Sequence, residues 1–176
     1  MINNCHVPDN GTEGGWDVIF QVPEGITLPE GDVVHTIYVE MKNKHNTMNS
    51  ASSQKTYIKM QSKILEDDKA MCYLVEAIAA KSQDIPWATK VDGKNFKHDR
   101  IHRISIDKFY EVVFGQKDAF YKLCTALPQI LDDVIAEGKI APSTNTVFDE
   151  LNAISSDILK SLYLLSFKTY EGFKDL

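Results

Sequence analysis

Apolar residues fall in short dense runs in the first half of this chain and at helical spacing in the second. Asp17-Val18-Ile19-Phe20-Gln21 predicts a brief strand. Val33 to Met41, rich in β-branched residues, predicts another. Pro23, Gly25, Pro29 and Gly31 mark a long loop between them, so an antiparallel hairpin is expected. Residues 1–15 are polar and glycine-containing and read as irregular. Asn43 to Ser53 reads as a polar loop. Beyond it Tyr57, Ile58, Met60, Ile64 and Leu65 form an apolar stripe on a helix that Ser52 or Ser53 caps and that runs to about Asp67. Met71 to Val75 predicts a buried strand. Strand, helix, strand is a crossover unit, so this third strand should lie parallel to the second.

Pro86 to His102 reads as a loop or ragged strand turning at Asp92-Gly93. Helices are then predicted over 106–114, ended by Gly115, over 118–127 and over 128–137, stopped by Gly138. A last long helix follows the linker at 142–145. It carries Val147, Leu151, Ile154, Ile158, Leu162 and Leu165 on one stripe. That stripe serves equally as a dimer face or as the last layer of the core. The fold class is α/β, a mixed central sheet flanked by helices, with a helical C-terminal part.

Composition narrows the class. With 176 residues, 43% hydrophobic and 25% charged, the chain suits one domain over 1–176 with a real core. Within it, 16–92 form the sheet and helix core and 104–172 are mainly helical. No run approaches the roughly 18 apolar residues that cross a bilayer, so no membrane role is expected. Residues 1–10 lack the basic start and apolar stretch of a signal peptide. Cys5, Cys72 and Cys124 stand far apart with no CxxC pair, which reads as buried thiols in a reducing cytoplasm.

The net charge of −6 counts against DNA binding until its distribution is seen. Residues 41–65 hold Lys42, Lys44, Lys55, Lys59 and Lys63 and no acid. Residues 94–103 hold Lys94, Lys97, Arg100 and Arg103 against Asp99 alone, and these are the chain's two arginines. A charge run is ordinarily a solvated face, and two acid-poor stretches in an acidic protein weigh against that default.

Metal-assisted phosphodiester cleavage needs carboxylates for the cation and a positive group beside the attacking water. An acid and a lysine two residues apart on a strand face the same way, so Glu-x-Lys delivers both to one pocket. The chain has four acid-x-Lys matches, beginning at Glu40, Asp67, Asp92 and Glu137. Three sit at helix ends or glycine turns. Glu40-Met41-Lys42 ends a predicted strand, and Asp17 opens its partner 23 positions earlier (40 − 17). Asp32 is a rival second acid, although its place after Pro29-Glu30-Gly31 suits a turn.

The string Glu40-Met41-Lys42-Asn43-Lys44-His45-Asn46-Thr47-Met48-Asn49 resembles the central motif of a family of type II restriction endonucleases that cut GGNCC-type sites. Arg103-Ile104-Ser105-Ile106-Asp107-Lys108-Phe109-Tyr110 resembles it too, and the likeness covers about residues 16–138. The resemblance implies a PD-(D/E)xK fold, Mg²⁺ dependence and double-stranded cleavage at a short GG/CC-containing palindrome. It also implies a partner methyltransferase. Glu40 and Lys42 match the motif directly, and Asp17 matches the upstream acid. The family pattern has a helix before the first strand that this chain lacks, and a shorter loop between the two acids. A shortened, non-cleaving DNA-binding remnant and a less specific repair nuclease are the alternative readings.

The site expectations follow. Asp17 and Glu40, with the Met41 carbonyl, hold Mg²⁺, and Lys42 orients the attacking water. Lys44, His45, Asn46 and Asn49 reach DNA or close a hydrogen-bonded turn. Lys55, Lys59 and Lys63, at helical spacing, meet phosphates. Arg100 and Arg103 either read guanine through bidentate contacts or cap the core. A palindromic target implies a two-fold homodimer.

Overall fold

The structure, a computed structural model, describes residues 4–9, 12–28, 31–138, 150, 153 and 158–173. Its strands are β1 (Asn4–His6), β2 (Val18–Thr27), β3 (Val33–Lys44), β4 (Ala70–Ile78), β5 (Asp84–Val91) and β6 (Lys94–Ser105). Its helices are α1 (Ser50–Glu66), between β3 and β4, then α2 (Ile106–Phe114), α3 (Ala119–Ala136) and α4 (Ile158–Leu165). The strands form one mixed sheet in the order β1-β2-β3-β4-β6-β5. The α/β class and the mixed sheet flanked by helices are as the sequence predicts. None of the described helices is long and apolar enough to cross a membrane.

The hairpin and crossover readings hold. β2 and β3 are antiparallel, and β3 and β4 are parallel around α1. Several boundaries differ. β2 runs through Pro23 and Gly25, which the sequence reading assigned to a long loop. A bulge between Gln21 and Ile26 breaks the ladder there, so the missing proline N–H costs little. Gly25 sits at φ +75° with a Cβ position 2.3 Å from Val33 Cγ1, so only glycine lets the strands close. Residues expected to be irregular form β1 on the edge of β2. β3 extends to Lys44 and α1 starts at Ser50, so the expected loop shrinks to a turn. The side chain of Asn49 caps α1 by accepting from Ser52 N at 2.8 Å, in place of the serines.

The ragged segment is a hairpin of β5 and β6, turned at Asp92 (φ +49°) and Gly93 (φ +78°), the pair that a tight hairpin turn requires. The two helices predicted over 118–137 are one, α3, which continues through Pro128. Thr125 Oγ1 donates back to the Tyr121 and Lys122 carbonyls just before that proline, and Gln129 pairs with Asp133 one turn on. Gly115 ends α2 in the left-handed conformation, as expected. The last helix is described over Ile158–Leu165, with Leu162 half exposed. Val147, Leu151 and Ile154 lie outside the described residues.

Two apolar layers cover the sheet. On one face Tyr57, Met60 and Ile64 of α1 pack on Cys72, Leu74, Ile101 and Trp87. On the other, Phe109, Val113, Phe120, Tyr170 and Phe173 pack on Ile37, Val39, Tyr73 and Val75. Each such side chain contributes about 1.5–3 kcal/mol by burial. Tyr170 Oη accepts from Ala79 N at 2.7 Å and donates to Ala77 O at 2.8 Å, so it fastens the C-terminal segment to the end of β4. Cys72 and Cys124 are buried thiols, but Cys5 is exposed on the edge strand, against the expectation.

Candidate active site

Alternation along β3 sets the site. Val39 is fully buried on the face packed by α2 and α3, so Glu40 and Lys42 face α1. They sit near the end of β3, beside Leu74 and Glu76 of β4. A turn at Glu13-Gly14-Gly15, all at positive φ, delivers Trp16 and Asp17 to the same corner. Asp17 stands one position beyond the Val18–Val39 pair and its N–H donates to Val39 O at 3.0 Å. Its Oδ2 accepts from Met41 N at 2.6 Å. Oδ1 has no partner among the described residues.

Asp32 lies at the other end of the hairpin, next to the Thr27–Val33 pair. Eight residue steps along the strand (40 − 32) separate it from Glu40, on the order of 27 Å. Register therefore brings Asp17 to Glu40 and keeps Asp32 away.

Both oxygens of Glu40 are held by lysines. Lys42 Nζ donates to Oε1 at 2.7 Å, and Lys59 Nζ, from α1, donates to Oε2 at 2.8 Å. Burial by itself raises the Glu40 carboxyl. The hydrogen bonds and charges of Lys42 and Lys59 outweigh that and hold it below its ordinary value. Glu40 is thus an anion throughout the neutral range. Lys59 also donates to Gly15 O at 2.8 Å and lies 4.1 Å from the Trp16 ring centroid. The sequence reading placed Lys59 among the phosphate contacts; the structure puts it on the motif carboxylate. Its neighbour Lys63 lies over the Tyr38 ring and pairs with Glu66. Lys55 is exposed.

The segment after β3 is a hydrogen-bonded turn. Thr47 N and Oγ1 both donate to Lys44 O, and His45 N donates to Ile78 O. Lys44, His45 and Asn46 are exposed, while the side chain of Asn49 serves the α1 cap.

Both arginines are committed to protein groups. Arg103 Nε donates to Glu76 Oε1 at 2.9 Å, and its Nη2 donates to the same oxygen and to His45 O at 2.8 Å. Arg100 Nη1 donates to Asp68 O and to Ala70 O, at the far end of β4. Alternation sends the two to opposite faces. Glu76 is 1% exposed and its Oε2 has no hydrogen-bond partner among the described residues. Sequence reasoning missed both this buried pair and the Lys59–Glu40 contact. Helical spacing singles out Lys59 but does not say which strand end the helix leans on.

Among the described residues no three His, Cys, Asp or Glu side chains gather as a metal cluster. The donors at hand are two carboxylates and the Met41 carbonyl. That set suits Mg²⁺, which uses one or two carboxylates and completes its shell with water and substrate phosphate oxygens.

The Eco47II restriction endonuclease family model matches residues 1–136. The chain is 32% identical over 109 residues to the type II restriction enzyme Sau96I of Staphylococcus aureus. That match spans 57% of this chain and 42% of the relative's length. No solved structure matches. The six-stranded mixed sheet flanked by helices is consistent with a restriction-endonuclease-like fold.

Proposed function

Because the chain belongs to the Eco47II restriction endonuclease family, we propose that it carries the catalytic centre of a type II restriction endonuclease. The reaction is Mg²⁺-dependent hydrolysis of double-stranded DNA at a short palindrome containing GG and CC. One observation carries the reading: Asp17, Glu40 and Lys42 meet at one corner of the sheet through strand register, with Glu40 ionised.

Asp17 and Glu40 would hold the cation, with the Met41 carbonyl beside them. The Met41 N–H fixes the Asp17 carboxylate through Oδ2, so that Oδ1 would be open to a cation. When bound there, Mg²⁺ would supply Lewis acidity toward the scissile phosphate and the attacking water. Lys42, held beside Glu40 Oε1, hydrogen-bonds the attacking water and offsets charge that develops on the phosphate. The water attacks phosphorus as the P–O3′ bond breaks, the 3′ oxygen takes a proton, and no covalent intermediate with the protein forms. The exposed Lys44, His45, Asn46 and Lys55 face the backbone and base edges. A palindrome is cut on both strands most simply by a homodimer, and a paired methyltransferase would shield host DNA in the cytoplasm.

A non-cleaving DNA-binding segment is the second reading. Purified protein incubated with unmethylated plasmid, with and without Mg²⁺, separates the readings. Discrete bands whose sequenced ends share one GG…CC site are the expected result. Smearing moves the function to an unspecific nuclease. Intact DNA from folded protein that still binds DNA leaves the second reading.

A further inference from the structure

We propose that Lys59 competes with the divalent cation for Glu40, so that metal binding requires this lysine to give way. The inference rests on the metal-site reading of Asp17 and Glu40. Lys59 is no loose surface cation. Its amine has three anchors: Glu40 Oε2 at 2.8 Å, Gly15 O at 2.8 Å and the face of Trp16 at 4.1 Å. Its stem leaves α1 between Tyr57 and Met60, both buried, so the helix is fixed and the amine is aimed.

Glu40 has two oxygens and both are hydrogen-bonded to lysine. A cation that takes Glu40 must displace at least one of them. Lys59 is the one with somewhere to go. Two of its anchors do not involve Glu40, and it borders an open cleft of about 290 Å³ shared with Glu13, Trp16 and Lys63. Lys42 has Glu40 as its one hydrogen-bond partner among the described residues, and it is wanted at the water. Two positive charges within a few ångströms of one carboxylate also repel a divalent ion. Lys59 thus weakens metal binding in the absence of DNA. A phosphate entering the site offers its amine a new anion, which couples metal loading to DNA.

The test is titration of the DNA-free protein with Mn²⁺ alone, followed by calorimetry and by the loss of the free-ion electron paramagnetic resonance signal. Lys59→Met removes the charge and keeps the length. It is expected to bind Mn²⁺ about tenfold more tightly than the wild type. Lys59→Gln, which keeps a donor without the charge, carries the test if Lys59→Met does not fold. Lys59→Arg, which keeps the charge, should stay close to the wild type. Unchanged or weaker Mn²⁺ binding by a folded neutral variant overturns the proposal. Glu40→Gln is the control that separates the two readings. If it leaves Mn²⁺ binding intact, the metal site itself is misassigned. If it abolishes binding while the neutral Lys59 variants bind like the wild type, the competition alone is wrong.

Discussion

The carboxylate of Asp17 accepts a hydrogen bond from the main-chain N–H of Met41 at 2.6 Å, across 24 positions of sequence. That bond locks the first acid to the centre of the Glu40-Met41-Lys42 motif and orients its other oxygen. Asp17→Asn keeps an acceptor for Met41 and removes the charge. It should therefore fold like the wild type and lose Mn²⁺ binding and cleavage together, while Asp32→Asn changes neither. Calorimetric titration of both variants checks this. Full metal affinity in Asp17→Asn removes Asp17 from the site.

Lys42 meets only Glu40 Oε1 among its described hydrogen-bond partners, so it is available to the reaction. Lys42→Met should keep DNA affinity, measured without cleavage in Ca²⁺, and slow single-turnover cleavage by at least about 100-fold. A variant that cuts at the wild-type rate would leave the motif lysine without a catalytic part.

Glu40 gives a stability signature on the acid side. Its folded pKa lies below the ordinary value of 4.5, because the two lysines outweigh the effect of burial. Its contribution to stability is therefore complete above the unfolded value and is lost as pH falls through the lower folded one. Urea unfolding of wild type and Glu40→Gln across acidic pH reads it. The stability difference between them should be flat above about pH 5 and move in favour of Glu40→Gln as pH falls. A pH-independent difference contradicts the pairing.

Arg103 and Glu76 form a partly buried pair, and the same arginine ties His45 O to the sheet. Arg103→Ala strands a carboxylate that is 1% exposed, and should cost about 3 kcal/mol of unfolding free energy. Adding Glu76→Gln should recover part of that loss. If Arg103→Ala instead leaves stability intact and relaxes cleavage specificity, the arginine reads bases.

Asn49 is the side-chain cap of α1. Asn49→Ala should cost about 1 kcal/mol in stability, and Asn49→Ser much less. Denaturant midpoints compare them. Equal stability of all three, with weaker DNA binding by Asn49→Ala, would return this residue to the DNA face.

Local pattern was enough for the elements that carry the motif. A β-branched run made β3, helical spacing made α1, a buried apolar run made β4, and short-range sterics made Gly115 end α2. Glu40 and Lys42 were legible for the same reason. Two residues apart on a strand share a face whatever the rest of the chain does.

Only the tertiary structure decided what depends on register and on distant packing. Whether Asp17 or Asp32 stands beside Glu40 follows from the pairing Val18–Val39, which a bulge and one glycine adjust. That Lys59 meets Glu40 depends on how α1 lies on the sheet. That Arg103 meets Glu76 depends on β6 pairing with β4 in one register. Sequence spacing carries periodicities of two and about 3.6 residues, so it states which side chains share a face. It does not state which faces meet. That is fixed by long-range packing, which here sets Lys59 against the half-buried Glu40 and Arg103 against the buried Glu76.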